Sequence, residues 1–362
     1  MIYRILFSAF VLIVIAFSCK KSVSGVDAVY LESEPYIIDY GTTLSTPNLP
    51  SDNPLTKAKV QLGRMLFYEK SLSGDNSMSC ASCHNQANAF SDINQFSIGI
   101  DGLPGGRQAM AIVNMAWNSN GFFWDGRAST LREQSLKPIQ DVLEMHETLP
   151  NVVAKLSAKT IYKEQFKKAF GTEEITSEKM SLAMEAFMFT LVSGNSKYDR
   201  FLAGLVSLTP SEEHGRQLFF AEYNPGFPNL SGADCAHCHS GSNLENDQYM
   251  NNGLDTDANF LDDGYMSVTL NSADKAKFKV PTLRNIEVTF PYMHDGRFNT
   301  LEEVVDHYNT GIQSSSTVDP AILNTQSSGL MLNAQDKIDL VNFLKTLTDH
   351  SFLTDQRFSN PF

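Results

Sequence analysis

The sequence Ser79-Cys80-Ala81-Ser82-Cys83-His84 decides the fold because it carries the pattern Cys-x-x-Cys-His. Two thiols at this spacing bond to the two vinyl groups of one porphyrin, and the histidine that follows supplies an axial nitrogen to its iron. The pattern recurs as Cys235-Ala236-His237-Cys238-His239. One Cys-x-x-Cys alone also fits a redox dithiol or half of a zinc site. Two copies, each followed directly by histidine, predict two covalently bound haem c groups with His84 and His239 as axial ligands.

The sequence around the two motifs is duplicated. Gly63-Arg64-Met65-Leu66-Phe67 precedes the first motif, and Gly215-Arg216-Gln217-Leu218-Phe219 precedes the second. Downstream, residues 125–131 begin Asp-Gly-Arg and end Thr-Leu, as do residues 295–301. Each half therefore reads as a helix, a haem motif, a long loop, an Asp-Gly-Arg turn and a second helix. This repeat predicts a mainly α fold with two cytochrome c-like haem domains related by internal duplication.

The N-terminus has the pattern of an exported chain. Residues 5–17 are largely apolar and lead to Ser18-Cys19, which predicts a lipoprotein signal peptide over 1–18 and a lipid anchor at Cys19. An ordinary secretory signal with an incidental cysteine is the alternative. Either reading places the mature protein outside the cytoplasm, in the periplasm or cell envelope. In the lipoprotein reading, the lipid at Cys19 is its only attachment to the membrane.

Cysteine count and charge narrow the class further. The chain has 5 cysteines, so one for lipid and four for haem leave none for a disulfide. The formal net charge of −13 argues against nucleic acid as a partner and favours a basic electron-donor protein.

Composition and hydrophobic periodicity divide the chain of 362 residues into a tether and two domains after the signal peptide. Residues 19–50 are predicted to be a tether, 51–205 the first haem domain, and 206–355 the second. Thr209-Pro210 is predicted to start a helix at the boundary. The segment 94–106 and the segment 224–264 are rich in Gly and Asn, which predicts loops around the haems.

Two further helices follow from apolar spacing. Lys179 to Phe201 is predicted to be one core helix. The segment 334–347 is predicted to be amphipathic, with five residues facing inward: Ile338, Leu340, Val341, Leu344 and Leu347.

The sequence resembles the bacterial di-haem cytochrome c peroxidases and their MauG-type relatives. The similarity runs from about Pro54 to Asp349. It is carried by the two haem motifs and by the segments 62–67, 123–128, 133–134, 138–139, 144–145, 280–285 and 294–297. The resemblance implies that peroxide reacts at the first haem, that the second haem exchanges electrons, and that calcium lies between the domains.

The resemblance also assigns roles to side chains between the motifs. It implies that Trp124 relays electrons between the haems, that Glu144 is the distal carboxylate that moves a proton, and that Gln134 is a distal amide. The alternatives are a tryptophan that only packs at a domain interface and a glutamate that is a solvated helix charge. His294 is expected either to pack or to contact a haem propionate. Three arginines are expected to pair with propionates or, alternatively, with Asp and Glu: Arg127, Arg284 and Arg297.

The chain departs from the family pattern at both distal positions. Ile100 occupies the place of the loop histidine that closes the first haem, which predicts an open first iron. Tyr308 occupies the place of the methionine that binds the second iron, and it lies on the apolar stripe of a predicted helix from Leu301. Met266 or Met293 is the alternative ligand. The remaining histidines are expected at the surface: His146, His214, His237, His307 and His350.

The calcium site is altered as well. The resemblance implies a side-chain amide and two backbone carbonyls, which fall here at Gln108, Thr289 and Pro291. Gln108 replaces the asparagine that is usual in the family.

The leading functional hypothesis is therefore a peroxidase that reduces hydrogen peroxide to water with electrons from a small cytochrome c or a copper protein. One alternative is a MauG-type oxidase that modifies side chains of a partner-protein substrate. The other is a di-haem electron carrier without peroxide chemistry. A homodimer is compatible with the family.

Overall fold

The computed structural model describes residues 34–362, so the signal peptide over 1–18 and Cys19 lie outside the described residues. The described chain is mainly helical, as predicted. Its α-helices are α1 Lys57–Tyr68, α2 Cys80–Cys83, α3 Leu131–Gln140, α4 Leu149–Ser157, α5 Thr160–Phe170, α6 Ser177–Phe189, α7 Lys197–Leu202, α8 Pro210–Phe220, α9 Met266–Thr269, α10 Leu301–Asp306, α11 Pro320–Leu323, α12 Ala334–Lys345 and α13 His350–Thr354.

Strand structure is confined to a short antiparallel pair in the described part of the chain. Strand β1 is Tyr249–Met250 and strand β2 is Phe278–Lys279, with Tyr249 opposite Lys279 and Met250 opposite Phe278. Apart from β1, the segments 94–106 and 224–264 run as loops and short 3-10 turns. The loops predicted there are therefore confirmed.

Each half is built on one close helix crossing. In the first half α1 packs on α6, and in the second α8 packs on α12. A Cβ atom on Gly63 would lie 1.9 Å from the Ala183 carbonyl oxygen, and a Cβ on Gly215 would lie 1.9 Å from the Asp339 carbonyl oxygen. Only glycine allows the backbones to approach so closely. The duplicated Gly-Arg-x-Leu-Phe sequence is therefore the contact that brings the two helices of each domain together.

The start of the second domain follows the predicted pattern. Helix α8 begins at Pro210, and the Thr209 hydroxyl accepts a hydrogen bond from the Glu212 backbone N–H. The Glu212 carboxylate accepts one in return from the Thr209 N–H, which completes a capping box.

The single core helix predicted over Lys179–Phe201 is wrong. Helix α6 ends at Phe189, and α7 restarts at Lys197. Between them, the Asn114 side chain bonds both the N–H and the carbonyl of Ser193, while the Asp349 carboxylate accepts from the N–H groups of Gly194 and Asn195. These long-range partners replace the helical hydrogen bonds, so the segment runs extended.

Helix α12 forms where it was predicted, but Ile338 does not face inward. It is 52% exposed, whereas Leu340, Val341, Leu344 and Leu347 are buried. At 100° per residue Ile338 lies roughly 120° from the centre of this stripe. The stripe is narrower than predicted because it packs mainly on one partner, α8.

The ends of the described chain pack on the first domain. Residues 34–50 differ from the free tether expected there, since Leu44 is buried and the Trp117 indole N–H donates to the Ser45 carbonyl. At the other end, Phe352 and Phe358 belong to the first hydrophobic core. Over residues 34–362, none of the helices has the length and apolarity needed to cross a bilayer.

Candidate functional site

Both Cys-x-x-Cys-His motifs line one cavity of about 700 Å³. Four cysteines of the described residues take part in no disulfide: Cys80, Cys83, Cys235 and Cys238. Burial raises the pKa of Cys80, Cys235 and Cys238 to about 12. Over residues 34–362, moreover, no group of three or more His, Cys, Asp or Glu side chains is placed to hold a metal ion. The thiols therefore fit thioether attachment to a porphyrin.

The two motif histidines are held in the form that binds iron. The Nδ1 of His84 donates to the Phe90 carbonyl at 2.7 Å, and the Nδ1 of His239 lies 3.3 Å from the Leu244 carbonyl. Burial lowers the pKa of His84, and it lowers the pKa of His239 to about 4. A neutral imidazole with its Nδ1 hydrogen bonded in this way has a free lone pair on Nε2. Both histidines line the cavity, so the donor set fits two haems.

A buried carboxyl group lines the cavity close to the first motif. Burial raises the pKa of Glu144 to about 7; Asp141 raises it further and Arg127 lowers it. Gln134 and Arg127 line the same cavity, and the Arg127 guanidinium stacks 3.6 Å from the centre of the Phe123 ring. An acid–base group therefore lies beside the first motif, and an amide and a cation line the same cavity.

The loop that would carry a distal histidine is tied to this carboxylate segment. The Ile100 N–H donates to the Glu144 carbonyl at 2.9 Å. Ile98 and Gly99 line the cavity, but Ile100 does not, and its Cδ1 lies near Gly74 instead. The loop therefore directs no ligating side chain at the first site from position 100.

Trp124 is buried and lines the cavity that both motifs share. Its indole Nε1 donates to the Gln108 carbonyl at 2.8 Å, and its own carbonyl accepts from the Lys279 N–H of β2. The Gln108 N–H donates to the His294 carbonyl, and the His294 ring stacks on Phe278 at 3.6 Å. The Trp-Asp-Gly-Arg turn and its duplicate, which starts at His294, are thus joined through one residue.

Tyr308 lines the cavity near the second motif, where burial raises its pKa. Of the two alternative ligands, Met293 lines the cavity and Met266 does not. The surface position predicted for His307 is wrong. Helix α10 ends at Asp306 and a π-helical turn over His307–Gly311 follows, so His307 is buried with its Nε2 at 3.0 Å from the Asn252 carbonyl.

The three arginines expected at haem propionates differ in whether they line the cavity. Arg284 pairs with Asp199, both buried, and Arg297 pairs with Asp255 and Asp295. Neither arginine lines the cavity, whereas Arg127 does. Ion pairing is therefore the reading that fits Arg284 and Arg297.

Glu245 and Asn252 are among the cavity residues that sequence reasoning missed. Burial raises the pKa of Glu245 to about 7 while Asn243 donates to its carboxylate at 2.8 Å. Both residues lie in the Asn-rich loop after the second motif, and that loop was the available signal.

Comparison with known proteins also indicates a di-haem protein. A family model described as di-haem cytochrome c peroxidase matches residues 57–207. The methylamine utilization protein MauG of Methylorubrum extorquens is 35% identical over 300 residues, covering 82% of this chain and 80% of that protein. The cytochrome c551 peroxidase of Nitrosomonas europaea is 37% identical over 295 residues, covering 80% and 79%.

A solved structure extends the similarity to the fold. The crystal structure of a MauG-like protein associated with microbial copper homeostasis is 35% identical, with a TM-score of 0.79, and the match covers 90% of this chain and 99% of that one. Sequence and fold therefore agree over both domains. The chain belongs to the di-haem cytochrome c peroxidase family of oxidoreductases, which includes MauG-like proteins.

Proposed function

We propose that the protein is a periplasmic di-haem peroxidase that reduces hydrogen peroxide to water. One haem c is bound by Cys80 and Cys83 and the other by Cys235 and Cys238, with the motif histidines as axial ligands. When bound, the haems supply redox-active iron. The first site reacts with peroxide, and electrons from a small cytochrome c or a copper protein arrive through the second site.

The position of Glu144 in the cavity wall and its raised pKa are the observations that best support this proposal. Heterolytic cleavage of the peroxide O–O bond requires a proton to move from one oxygen to the other. A carboxyl group with a pKa of about 7 can both accept and return that proton near neutral pH. Gln134 lines the same cavity and can orient the substrate through its amide. Trp124, between the two motifs, is the residue we assign to electron relay.

The test is peroxide turnover by the haem-loaded protein with a reduced cytochrome c donor. Glu144→Gln keeps the size of the side chain and removes the acid–base group, so kcat/KM for peroxide should fall by roughly 10²- to 10⁴-fold. Glu164→Gln is the matched control, because Glu164 is exposed on α5. Equal turnover by both variants would contradict the role of Glu144. An absence of turnover by the wild type with intact haems would contradict the peroxidase proposal itself.

A MauG-type oxidation of a partner protein is the second candidate, and Tyr308 favours it. An anionic oxygen ligand favours higher oxidation states of iron, whereas a thioether favours the ferrous state. A second site with Tyr308 as ligand would therefore hold oxidising equivalents better than it would store electrons. Loss of electrons from a partner protein's side chains, with no turnover of a cytochrome donor, would favour this candidate.

The remaining parts of the proposal concern location and calcium. Lipidation of Cys19 after export would anchor the chain at a membrane. Calcium would be held by Gln108 and the carbonyls of Thr289 and Pro291, all of which line the cavity. The Gln108 amide nitrogen already donates to Ser91 and Asp92, which leaves its oxygen for a cation. Metal analysis of the purified protein before and after chelation tests this site.

A further inference from the structure

We propose that Asn252 selects Tyr308 over Met293 as the axial ligand of the second haem. This inference rests on the proposed haem at Cys235 and Cys238 and on Tyr308 as its ligand. It adds a positioning residue that decides between two side chains able to bind iron.

Two such side chains converge on the Asn252 amide. Its Nδ2 lies 3.2 Å from the Met293 sulfur and 3.5 Å from the Tyr308 phenolic oxygen. All three residues line the cavity that also contains His239 and Cys238. One amide carries two N–H groups, so it can donate to both acceptors at once.

The backbone holds Asn252 in this place. The His307 Nε2 lies 3.0 Å from its carbonyl oxygen. On either side, the Gly253 N–H donates to the Asn251 side chain at 2.9 Å, and the Gln313 N–H donates to the Gly253 carbonyl at 2.8 Å. These bonds fix the Asn252 backbone, so only rotation of its side chain determines how far the amide reaches toward either ligand candidate.

Met293 is also held in a specific conformation. Its φ is 76°, in the left-handed region that non-glycine residues rarely occupy. Phe123, its counterpart in the duplicated turn, has φ 69°. The turn therefore positions Met293 in the cavity wall as it positions Phe123 in the first domain. Strained backbone of this kind is concentrated at functional sites.

The same amide acts in opposite directions on the two acceptors. A thioether is a neutral, weak donor with two lone pairs, so an N–H donated to one of them withdraws electron density and makes the other a poorer ligand. An N–H donated to a phenolate stabilises its negative charge, while the oxygen keeps further lone pairs for the metal. Asn252 therefore weakens Met293 as a ligand and strengthens Tyr308.

The experiment uses the protein loaded with both haems and the variant Asn252→Leu. Loss of the amide should shift the ratio of tyrosine-bound to methionine-bound haem by about tenfold toward methionine, the effect of about 1.4 kcal/mol. EPR and the thioether-to-iron charge-transfer band report the ratio, and the reduction potential of the second haem should rise. Asn246→Leu is the matched control, because its amide contacts another methionine, Met250, at 3.8 Å.

Three outcomes decide the inference. A methionine signal in Asn252→Leu that disappears in Asn252→Leu with Met293→Leu supports it. An unchanged spectrum in Asn252→Leu overturns it, and so does a shift that survives in the double variant, provided that Tyr308→Phe alters the spectrum. If Tyr308→Phe alters nothing, the ligand assignment itself fails. Asn252→Asp, which has a similar shape and no N–H donor, replaces Asn252→Leu if that variant loses haem.

Discussion

The indole Nε1 of Trp124 donates a hydrogen bond to the backbone carbonyl of Gln108 at 2.8 Å. The Gln108 N–H in turn donates to the His294 carbonyl. Gln108 is buried, and its side chain is fixed on Ser91 and Asp92. Trp124 is thereby held in one orientation through bonds that involve both halves of the duplicated chain.

Replacing Trp124 with phenylalanine should slow electron transfer from the second haem to the first. The variant keeps an aromatic ring but loses the indole and its hydrogen bond, at a cost in stability of about 1 kcal/mol. Rapid mixing of the reduced protein with peroxide measures the transfer. Trp117→Phe is the control, because Trp117 is the other of the 2 tryptophans and bonds Ser45 away from the cavity. Equal rates in both variants would contradict the relay.

Each cysteine pair should hold one haem. Cys83→Ala and Cys238→Ala remove one thioether bond at the first and second motif, respectively. Each variant should lose or loosen a single haem when the protein is matured with full haem supply. The haem-to-chain ratio after denaturation measures this, with a ratio of two expected for the wild type. A wild-type ratio of one would contradict attachment at both motifs.

The stability of the protein should depend on pH through Glu144. Its pKa is raised from 4.5 to about 7 in the folded state, so the folded protein binds the proton more tightly than the unfolded chain. This contribution to stability is fully present below about pH 4.5 and is lost as the pH rises through about 7. Relative to wild type, Glu144→Gln should therefore gain up to about 3 kcal/mol between pH 4.5 and pH 8. Denaturant unfolding of both proteins at both pH values measures this difference in the free energy of unfolding. A difference that is equal at the two pH values would contradict the prediction.

Tyr308 should determine the spectrum of the second haem. Tyr308→Phe removes the oxygen ligand, and Tyr308→Met supplies the thioether typical of the family's peroxidases, which should raise the reduction potential. EPR and redox titration of the haem-loaded variants measure both effects. If both variants keep the wild-type spectrum and potential, Tyr308 is not a ligand. A MauG-type oxidase then loses its support, and the peroxidase hypothesis is the one that stands.

The sequence predicts two kinds of feature: those that depend on a short local motif, and those that appear in both copies of the internal repeat. The haem motifs have a strict spacing, and the sequences around Gly63 and Gly215 repeat because each helix crossing needs a residue without a side chain. Glu144 and Trp124 are assigned from the family resemblance and not from the repeat, since the second copy has His294 where the first has Trp124.

The features that escaped prediction depend on distant partners. Helix α6 stops because Asn114 and Asp349 bond the backbone beyond it. His307 is buried because the helix changes to a π-helical turn, which alters the angle between successive side chains. Asn252 contacts Tyr308 across 56 positions of sequence. Apolar periodicity carries no information about such contacts.

The central claim is that the first haem is open and reacts with peroxide before any reduction. Position 100 directs no ligand into the cavity, and the sequence has no histidine between His84 and Trp124. The most direct measurement is an EPR spectrum of the fully ferric protein at neutral pH, taken before and after one equivalent of hydrogen peroxide. We predict a high-spin ferric signal that disappears on addition of peroxide without any reductant. A wholly low-spin spectrum that peroxide leaves unchanged would contradict the claim.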